Sequence, residues 1–163
     1  DDDLRRSFIR AVAESRIVAA FEGYEHTYSH AGVNGPFDVA TANGQARDAA
    51  QRLLTAFREG RYRETQLDVL PAYDLVFGFG GQFGRGASAG LLWMDFEHMR
   101  EAAPPQVVGH SRQHRVTRTG NAICENVIRT NLGTPGGEAV VIERPDGIAA
   151  VTNTGSGATV TEL

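Results

Sequence analysis

Apolar residues spaced three and four positions apart predict two amphipathic helices in the first part of the chain. The stripe of the first helix is formed by Leu4, Phe8, Ile9, Val12 and Ala13. Asp3 is placed to cap this helix, which we expect to end near Ser15. The pair Asn43 and Gly44 predicts a loop. The second helix follows and ends at Gly60, with its stripe at Ala46, Ala49, Ala50, Leu53, Leu54 and Phe57.

Short β-prone runs occupy most of the remaining sequence. IVAAFEG and YEHTYSHAG predict a hairpin broken at Gly23, with His30 at or just after the end of its second strand. A short helix is expected over residues 95–100, and QVVGH is typical of a buried strand that leads directly to His110. Beyond it, the runs NAICENVIRTN, EAVVIERP and GIAAVTN predict three strands joined by turns that contain glycine. The chain therefore ends in a β-meander.

These elements predict a single domain of mixed α and β structure over residues 1–163. A chain of 163 residues is long enough to bury a hydrophobic core. No segment has the length and composition of a linker between domains. We expect an α/β or α+β fold that combines a mixed sheet, the C-terminal β-meander and flanking helices.

Composition excludes several classes of partner. The net charge of -4 has the wrong sign for a surface that neutralises phosphates, so nucleic-acid binding is not expected. No apolar run is long enough to span a membrane. Cys124 is the one cysteine, which excludes an internal disulfide and predicts a cytoplasmic location. The first residue is Asp, so we expect the sequence to begin within a longer gene product or after a processing point.

Two histidines are the main candidates for chemistry, His30 in YSHAGV and His110 in VVGHSRQH. Each follows a predicted strand and precedes small residues, so its ring can stand clear of the sheet edge with room for an ion. Imidazole nitrogens bind Zn, Mn, Fe, Co or Ni, which predicts a shared metal site. The alternative is that each histidine is a hydrogen-bonded structural residue.

The remaining candidates are less specific. The glycine-rich stretch FGFGGQFGRGASAG contains Arg85 and is compatible with a substrate loop or with a flexible surface loop. We expect structural or solvent-exposed roles for His26 and His98, and a surface role for His114. Cys124 is expected to pack as a small apolar group.

The order of four motifs resembles a known family. SHAGV, GRGASAGLLWMDF, PPQVVGHSRQHRV and NVIRTNLGTPGGEAVVIER resemble the C-terminal half of a calcineurin-like metallophosphoesterase, on the phosphoprotein-phosphatase side, over about residues 4–144. The resemblance implies part of a four-layer α/β/β/α sandwich, with this chain supplying mainly one sheet and both helices against its outer face. It also implies that His30 and His110 ligate the second ion of a dinuclear centre. Arg85 would bind a substrate phosphate oxygen, for which a guanidinium is well suited.

The activity implied by the resemblance is hydrolysis of a phosphate ester by a hydroxide that two metal ions activate. Manganese is the expected ion, and Fe, Zn or Ni would also suit the ligands. The substrate would be a phosphorylated compound, with a phosphoprotein, a dinucleotide polyphosphate and a small phosphomonoester all compatible. Ser111 replaces the usual Thr of the second histidine motif, and Arg112 stands where many relatives carry histidine or proline.

Three upstream motifs of the family are absent from the sequence: Asp-x-His, Gly-Asp-x-x-Asp-Arg-Gly and Gly-Asn-His-Glu or Asp. In the family they supply every ligand of the first ion, the bridging carboxylate, an Asn on the second ion and the His that protonates the leaving group. Catalytic sites generally need three protein ligands to retain an ion. We therefore expect this chain to supply only part of the site and to be weakly active or inactive alone.

Two other interpretations remain open. The chain can be a catalytically inactive phosphatase-like module that binds a partner through the glycine-rich loop, or a structural αβ domain with incidental histidines. If the chain is part of a phosphoesterase, its partner is the missing N-terminal half of the domain. Without that half, an apolar sheet face would be uncovered and would favour self-association.

Overall fold

The computed structural model describes residues 2–81, 84–133 and 136–163 and shows a mixed α and β fold. The helices are α1 (Asp2–Ala13), α2 (Val39–Arg58), α3 (Tyr62–Ala72), α4 (Asp74–Phe77) and α5 (Ile128–Asn131), with a 3-10 helix at Phe96–His98. The strands are β1 (Ala20–Glu22), β2 (Thr27–Ser29), β3 (Gln106–Val108), β4 (Thr117–Thr119), β5 (Ala122–Cys124), β6 (Ala139–Arg144), β7 (Gly147–Asn153) and β8 (Ala158–Glu162). Within the described residues, no helix combines the length and apolar character needed to cross a bilayer.

A five-stranded mixed sheet, in the order β1-β2-β3-β5-β4, forms the centre of the fold. The predicted hairpin is confirmed, since β1 and β2 pair antiparallel on either side of Gly23. Strands β2, β3 and β5 run parallel, and their register aligns Ser29 with Val108 and Val108 with Cys124. The carboxyl ends of these three strands therefore meet at one edge of the sheet, which we call the site edge.

Strands β6, β7 and β8 form a separate antiparallel meander. The prediction of a C-terminal meander is confirmed, but two of its details are wrong. Of the run NAICENVIRTN, residues 122–124 join the first sheet and residues 128–131 are helical, while β8 was not predicted. The three residues of β5 are all fully buried, and a continuous apolar run of this kind is typical of a strand inside a parallel sheet.

The two sheets pack against one another. Val107 of β3 and Ile123 of β5 form one apolar cluster with Ile148 of β7. The expectation that the chain supplies mainly one sheet is therefore wrong. On the opposite face of the five-stranded sheet, Val108 and Cys124 contribute to a second cluster whose other members are Ala31, Ala89, Met94, Phe96, Met99, Ala103 and Ala122.

The two clusters cover both faces of the five-stranded sheet at its centre. An uncovered apolar surface, as expected from the sequence, would therefore lie elsewhere. The large apolar side chains exposed on the meander are Val140, Ile142 and Val160. Val151 pairs with both Val140 and Val160, so these valines form one row across the three strands. Self-association of the chain stays a prediction.

The helices pack together at the β1 side of the sheet. Ala42 and Ala46 of α2 share an apolar cluster with Ala20 of β1, which places the helical layer beside the hairpin. Helix α1 begins at Asp2, so Asp3 lies inside the helix rather than at its cap as predicted. Helix α3 was not predicted from the sequence; the second helix, α2, ends at Arg58, two residues before Gly60.

The prediction of a loop at Asn43 and Gly44 is wrong, because both residues lie inside α2. The helix begins earlier, where the Asp38 carboxylate caps it by accepting a 2.6 Å hydrogen bond from the Thr41 N–H. The Asn43 side chain bonds to β1 instead of to its own backbone. Its amide accepts from Ala20 N at 3.1 Å and donates to Ala20 O at 2.8 Å. Tertiary hydrogen bonds have overridden the local turn preference.

Candidate functional site

The site edge brings His30 and His110 together, as the sequence led us to expect. His30 follows β2 directly, and His110 follows β3 after Gly109. The backbone joins the two segments through a 2.9 Å hydrogen bond from Gly109 N to His30 O. His30 Nε2 lies 2.8 Å from His110 Nδ1, and the rings meet edge to face at an interplanar angle of 74°. The predicted proximity of the two imidazoles is confirmed.

Gly32 explains why small residues follow His30. Its backbone has φ +84°, and an added Cβ would lie 2.8 Å from Val108 Cγ1 and would collide with the Gln106 side chain. Gln106 is fully buried, and its amide accepts from Val33 N at 3.0 Å and donates to Val33 O at 2.8 Å. The chain after His30 therefore turns tightly over β3, which leaves the histidine ring at the surface.

The surroundings of both histidines favour the neutral form of the imidazole ring. Burial lowers the pKa of His30. Burial, and then the neighbouring His30, lower the pKa of His110, while Asp95 acts in the opposite direction. A neutral imidazole has a free lone pair and can bind a metal ion, whereas a protonated one cannot. The pair is therefore suited to metal binding near neutral pH.

The geometry of the pair allows one ion to be shared. Two nitrogens that each bind an ion at about 2.1 Å can be separated by at most roughly 4.2 Å, and the observed separation of 2.8 Å is shorter. In the metal-free chain this contact is a hydrogen bond in which one ring donates its N–H to the other, so an ion bound by both nitrogens would replace that proton. Over residues 2–81, 84–133 and 136–163, however, no cluster of three or more His, Cys, Asp or Glu side chains is arranged to hold a metal. The described residues therefore bring two imidazole nitrogens together at this place, and no third side chain of these types.

Arg85 lies in the glycine-rich segment and faces the same region. It adopts φ +64°, and its side chain is about half exposed at 55%. The described part of the segment is closed by a β-bridge between Phe79 and Ala89 and by a 2.8 Å hydrogen bond from Gly90 N to Gly78 O. Residues 82 and 83, which belong to the same predicted loop, lie outside the described residues. Arg85 is thus held on a hydrogen-bonded loop with its guanidinium accessible.

Asp95 is a site residue that the sequence reasoning missed. Its Oδ1 lies 3.5 Å from His110 Nε2 and 4.0 Å from Arg85 Nη1, and it accepts a hydrogen bond of 3.3 Å from Ser111 Oγ. The local signal was weak, because the residue is a single acid between the buried Met94 and Phe96. A carboxylate in an apolar stretch of this kind indicates a polar partner, but the sequence does not identify the partner.

The other candidates have structural or surface positions. His98 and His114 are exposed, and Cys124 is fully buried in an apolar cluster, as expected. His26 lies one residue before β2, and its Nδ1 is 2.7 Å from Glu143 Oε1. Its predicted structural role is therefore confirmed.

Glu143 of β6 forms a polar anchor between the two sheets. Its carboxylate accepts hydrogen bonds of 3.0 Å from the backbone N–H groups of Tyr24, Glu25 and His26, and one of 3.1 Å from Tyr28 Oη. Burial alone would raise its pKa, but these hydrogen bonds and His26 lower the pKa of Glu143 to about 2. The anchor fixes the turn of the β1–β2 hairpin, the hairpin that carries His30 at its end.

No protein-family model, no curated protein and no solved structure matches the chain.

Proposed function

We propose that this chain is the C-terminal portion of a metal-dependent phosphoesterase and supplies part of its active site. His30 and His110 would hold one of two divalent ions, with Mn expected and Fe, Zn or Ni compatible, and Arg85 would bind the substrate phosphate. The observation that carries the proposal is the 2.8 Å separation of His30 Nε2 and His110 Nδ1 at the end of two parallel strands. Two packed sheets with helices beside one of them also suit a four-layer α/β/β/α sandwich.

Each residue has a distinct task in the proposed reaction. When bound, the ions would lower the pKa of a water molecule and neutralise the charge on the phosphoryl oxygens. His30 and His110 provide neutral imidazole nitrogens at a fixed place on the sheet. Arg85 presents a guanidinium that pairs with two phosphate oxygens at once and so orients the substrate. A phosphoprotein, a dinucleotide polyphosphate or a small phosphomonoester would suit this arrangement equally.

The number of ligands limits what the chain does alone. Two imidazoles retain a divalent ion poorly, since catalytic sites generally use three protein ligands. The described residues contain no third metal-binding side chain in place. We propose that the remaining ligands come from an N-terminal half of the same domain. The same ligand count favours the alternative, a catalytically inactive phosphatase-like module that binds a partner.

A metal titration tests the site directly. Mn²⁺ added to the chain should broaden the imidazole NMR signals of His30 and His110 at millimolar concentrations, and leave the exposed His114 ring unaffected. Replacing either ligand, by His30→Ala or His110→Ala, should abolish the broadening at the remaining partner. His114→Ala is the matched control. Equal broadening of all histidine rings, or none at the pair, would contradict the proposed site.

An activity assay separates the enzyme from the binding module. The chain alone, with Mn²⁺ and a generic aryl phosphate, should show little turnover, and strong turnover would contradict the ligand count. The coding sequence upstream of Asp1 should encode the three missing motifs. Expression of that segment together with the chain should then yield phosphatase activity that His110→Ala removes. An upstream segment without these motifs would favour the binding module.

A further inference from the structure

Asp95 occupies a place where three functional groups meet. Its side chain is 29% exposed, and its Oδ1 lies near the imidazole of His110, the guanidinium of Arg85 and the hydroxyl of Ser111. Ser111 also accepts a 2.8 Å hydrogen bond from Phe96 N, which ties the segment after His110 to the residue after Asp95. These contacts place the carboxylate beside His110 Nε2, the ring nitrogen that does not face His30.

The two nitrogens of His110 therefore have different partners. Nδ1 faces His30 Nε2 at 2.8 Å, and Nε2 faces Asp95 Oδ1 at 3.5 Å. A carboxylate accepts and never donates when ionised, so it favours a proton on Nε2. That tautomer leaves the lone pair of Nδ1 directed toward His30, the side on which a shared ion would bind.

Asp95 also contacts Arg85 at two points. The backbone N–H of Asp95 donates a 2.9 Å hydrogen bond to Arg85 O, and the carboxylate lies 4.0 Å from Arg85 Nη1. The same residue thus connects the proposed metal ligand to the proposed phosphate ligand. Arg85 has φ +64°, a conformation that a non-glycine residue rarely adopts without support from its surroundings.

We propose that Asp95 is a positioning residue that orients His110 through its Nε2–H, so that Nδ1 binds the ion, and that aligns Arg85 with the phosphate beside that ion. Carboxylates that accept the second N–H of a histidine ligand fix its orientation and increase its basicity, and their loss typically weakens metal binding about 10- to 100-fold. The metal and phosphate parts of this inference rest on the proposed function. The orientation of His110 does not.

The first experiment requires no metal and no activity. Long-range ¹H–¹⁵N correlation spectra of the metal-free chain near pH 7.5 report which nitrogen of each histidine carries the proton. In the wild-type chain His110 should be protonated on Nε2. Asp95→Ala should give a mixture of the two tautomers, whereas Asp95→Asn, which keeps an accepting oxygen, should remain closer to the wild type. Glu97→Ala removes a carboxylate that is 77% exposed and lies beside His98, and it should leave the tautomer of His110 unchanged.

The second experiment measures metal binding. Broadening of the His30 and His110 rings by Mn²⁺ should require about 10- to 100-fold more metal in Asp95→Ala than in the wild type or in Glu97→Ala. Amide spectra establish that each variant is folded.

The two experiments separate the possible failures. A wild-type His110 protonated on Nδ1, or a tautomer unchanged in Asp95→Ala, would overturn the role assigned to Asp95. Absence of Mn²⁺ binding in every variant, together with the expected tautomers, would overturn the proposed metal site and retain the orientation of His110 by Asp95.

Discussion

His30 Nε2 and His110 Nδ1 lie 2.8 Å apart, although 80 positions separate the two residues in the chain. Each stands just beyond the end of a strand, and the two strands are parallel neighbours in register. The proximity is thus a property of the sheet and does not depend on a flexible loop. Changes that disturb the backbone beside either histidine should therefore disturb the pair.

Gly32→Ala should destabilise the protein and displace His30. The substitution would force a side chain into a φ of +84° and against Val108 and Gln106, which we expect to cost about 2 to 4 kcal/mol in the free energy of unfolding. Gly35→Ala is the control, since no atom lies within 4 Å of its added Cβ. Urea denaturation measures the difference, and similar unfolding midpoints for the two variants would count against a tight turn after His30.

Arg85→Gln should weaken the binding of inorganic phosphate about tenfold or more when Mn²⁺ is present. The expected loss follows from removal of a guanidinium that can pair with two phosphate oxygens. Arg112→Gln removes an exposed arginine two positions after His110 and serves as the control. Isothermal titration calorimetry measures both affinities. If the two variants bind phosphate equally, Arg85 has no special part in the site.

Glu143→Gln should lower the free energy of unfolding by about 2 to 3 kcal/mol. In the wild type, the charged carboxylate accepts hydrogen bonds from the β1–β2 turn, His26 and Tyr28. The variant loses this charge, and hydrogen bonds to a charged group are stronger than hydrogen bonds between neutral groups. Glu162→Gln, at a carboxylate on β8 that is 67% exposed, should have little effect. Urea denaturation of the two variants and the wild type measures the free energy of unfolding. Equal values for all three would show that Glu143 does not anchor the sheets.

Stability should depend on pH through the same anchor. The pKa of Glu143 falls from an ordinary value of 4.5 to about 2 in the folded chain. The ionised carboxylate therefore contributes to the free energy of unfolding above pH 4.5, and this contribution is lost as the pH falls toward about 2. Burial, and then Glu143, raise the pKa of Tyr28 from 10.0 to about 12, so that contribution is present below pH 10.0 and is lost as the pH rises through about 12.

Unfolding curves at several pH values measure this dependence. The difference in stability between the wild type and Glu143→Gln should be full near neutral pH and should shrink between pH 4.5 and about 2, because the protonated carboxyl resembles the amide. A difference that remains constant through this range would show that the ionised form of Glu143 is not the stabilising one.

Local patterns in the sequence determined the elements that depend on near neighbours. The apolar stripe of α1, the hairpin around Gly23 and the buried run that became β3 were all predicted from periodicity and turn residues. The two histidines were selected because each follows a strand and precedes small residues. These features are local, and the chain encodes them within a few positions.

Tertiary structure decided the rest, because it depends on partners far apart in the chain. Asn43 is a loop residue by its local preference, yet it lies in α2 because β1 offers its amide better hydrogen bonds. Asp95 joined the candidate site only because folding placed its carboxylate beside His110 and Arg85. The sequence by itself determined that His30 and His110 each follow a strand, while the parallel pairing of β2 with β3 decided that the two residues meet, since hydrogen bonds between strands join segments that no local pattern connects.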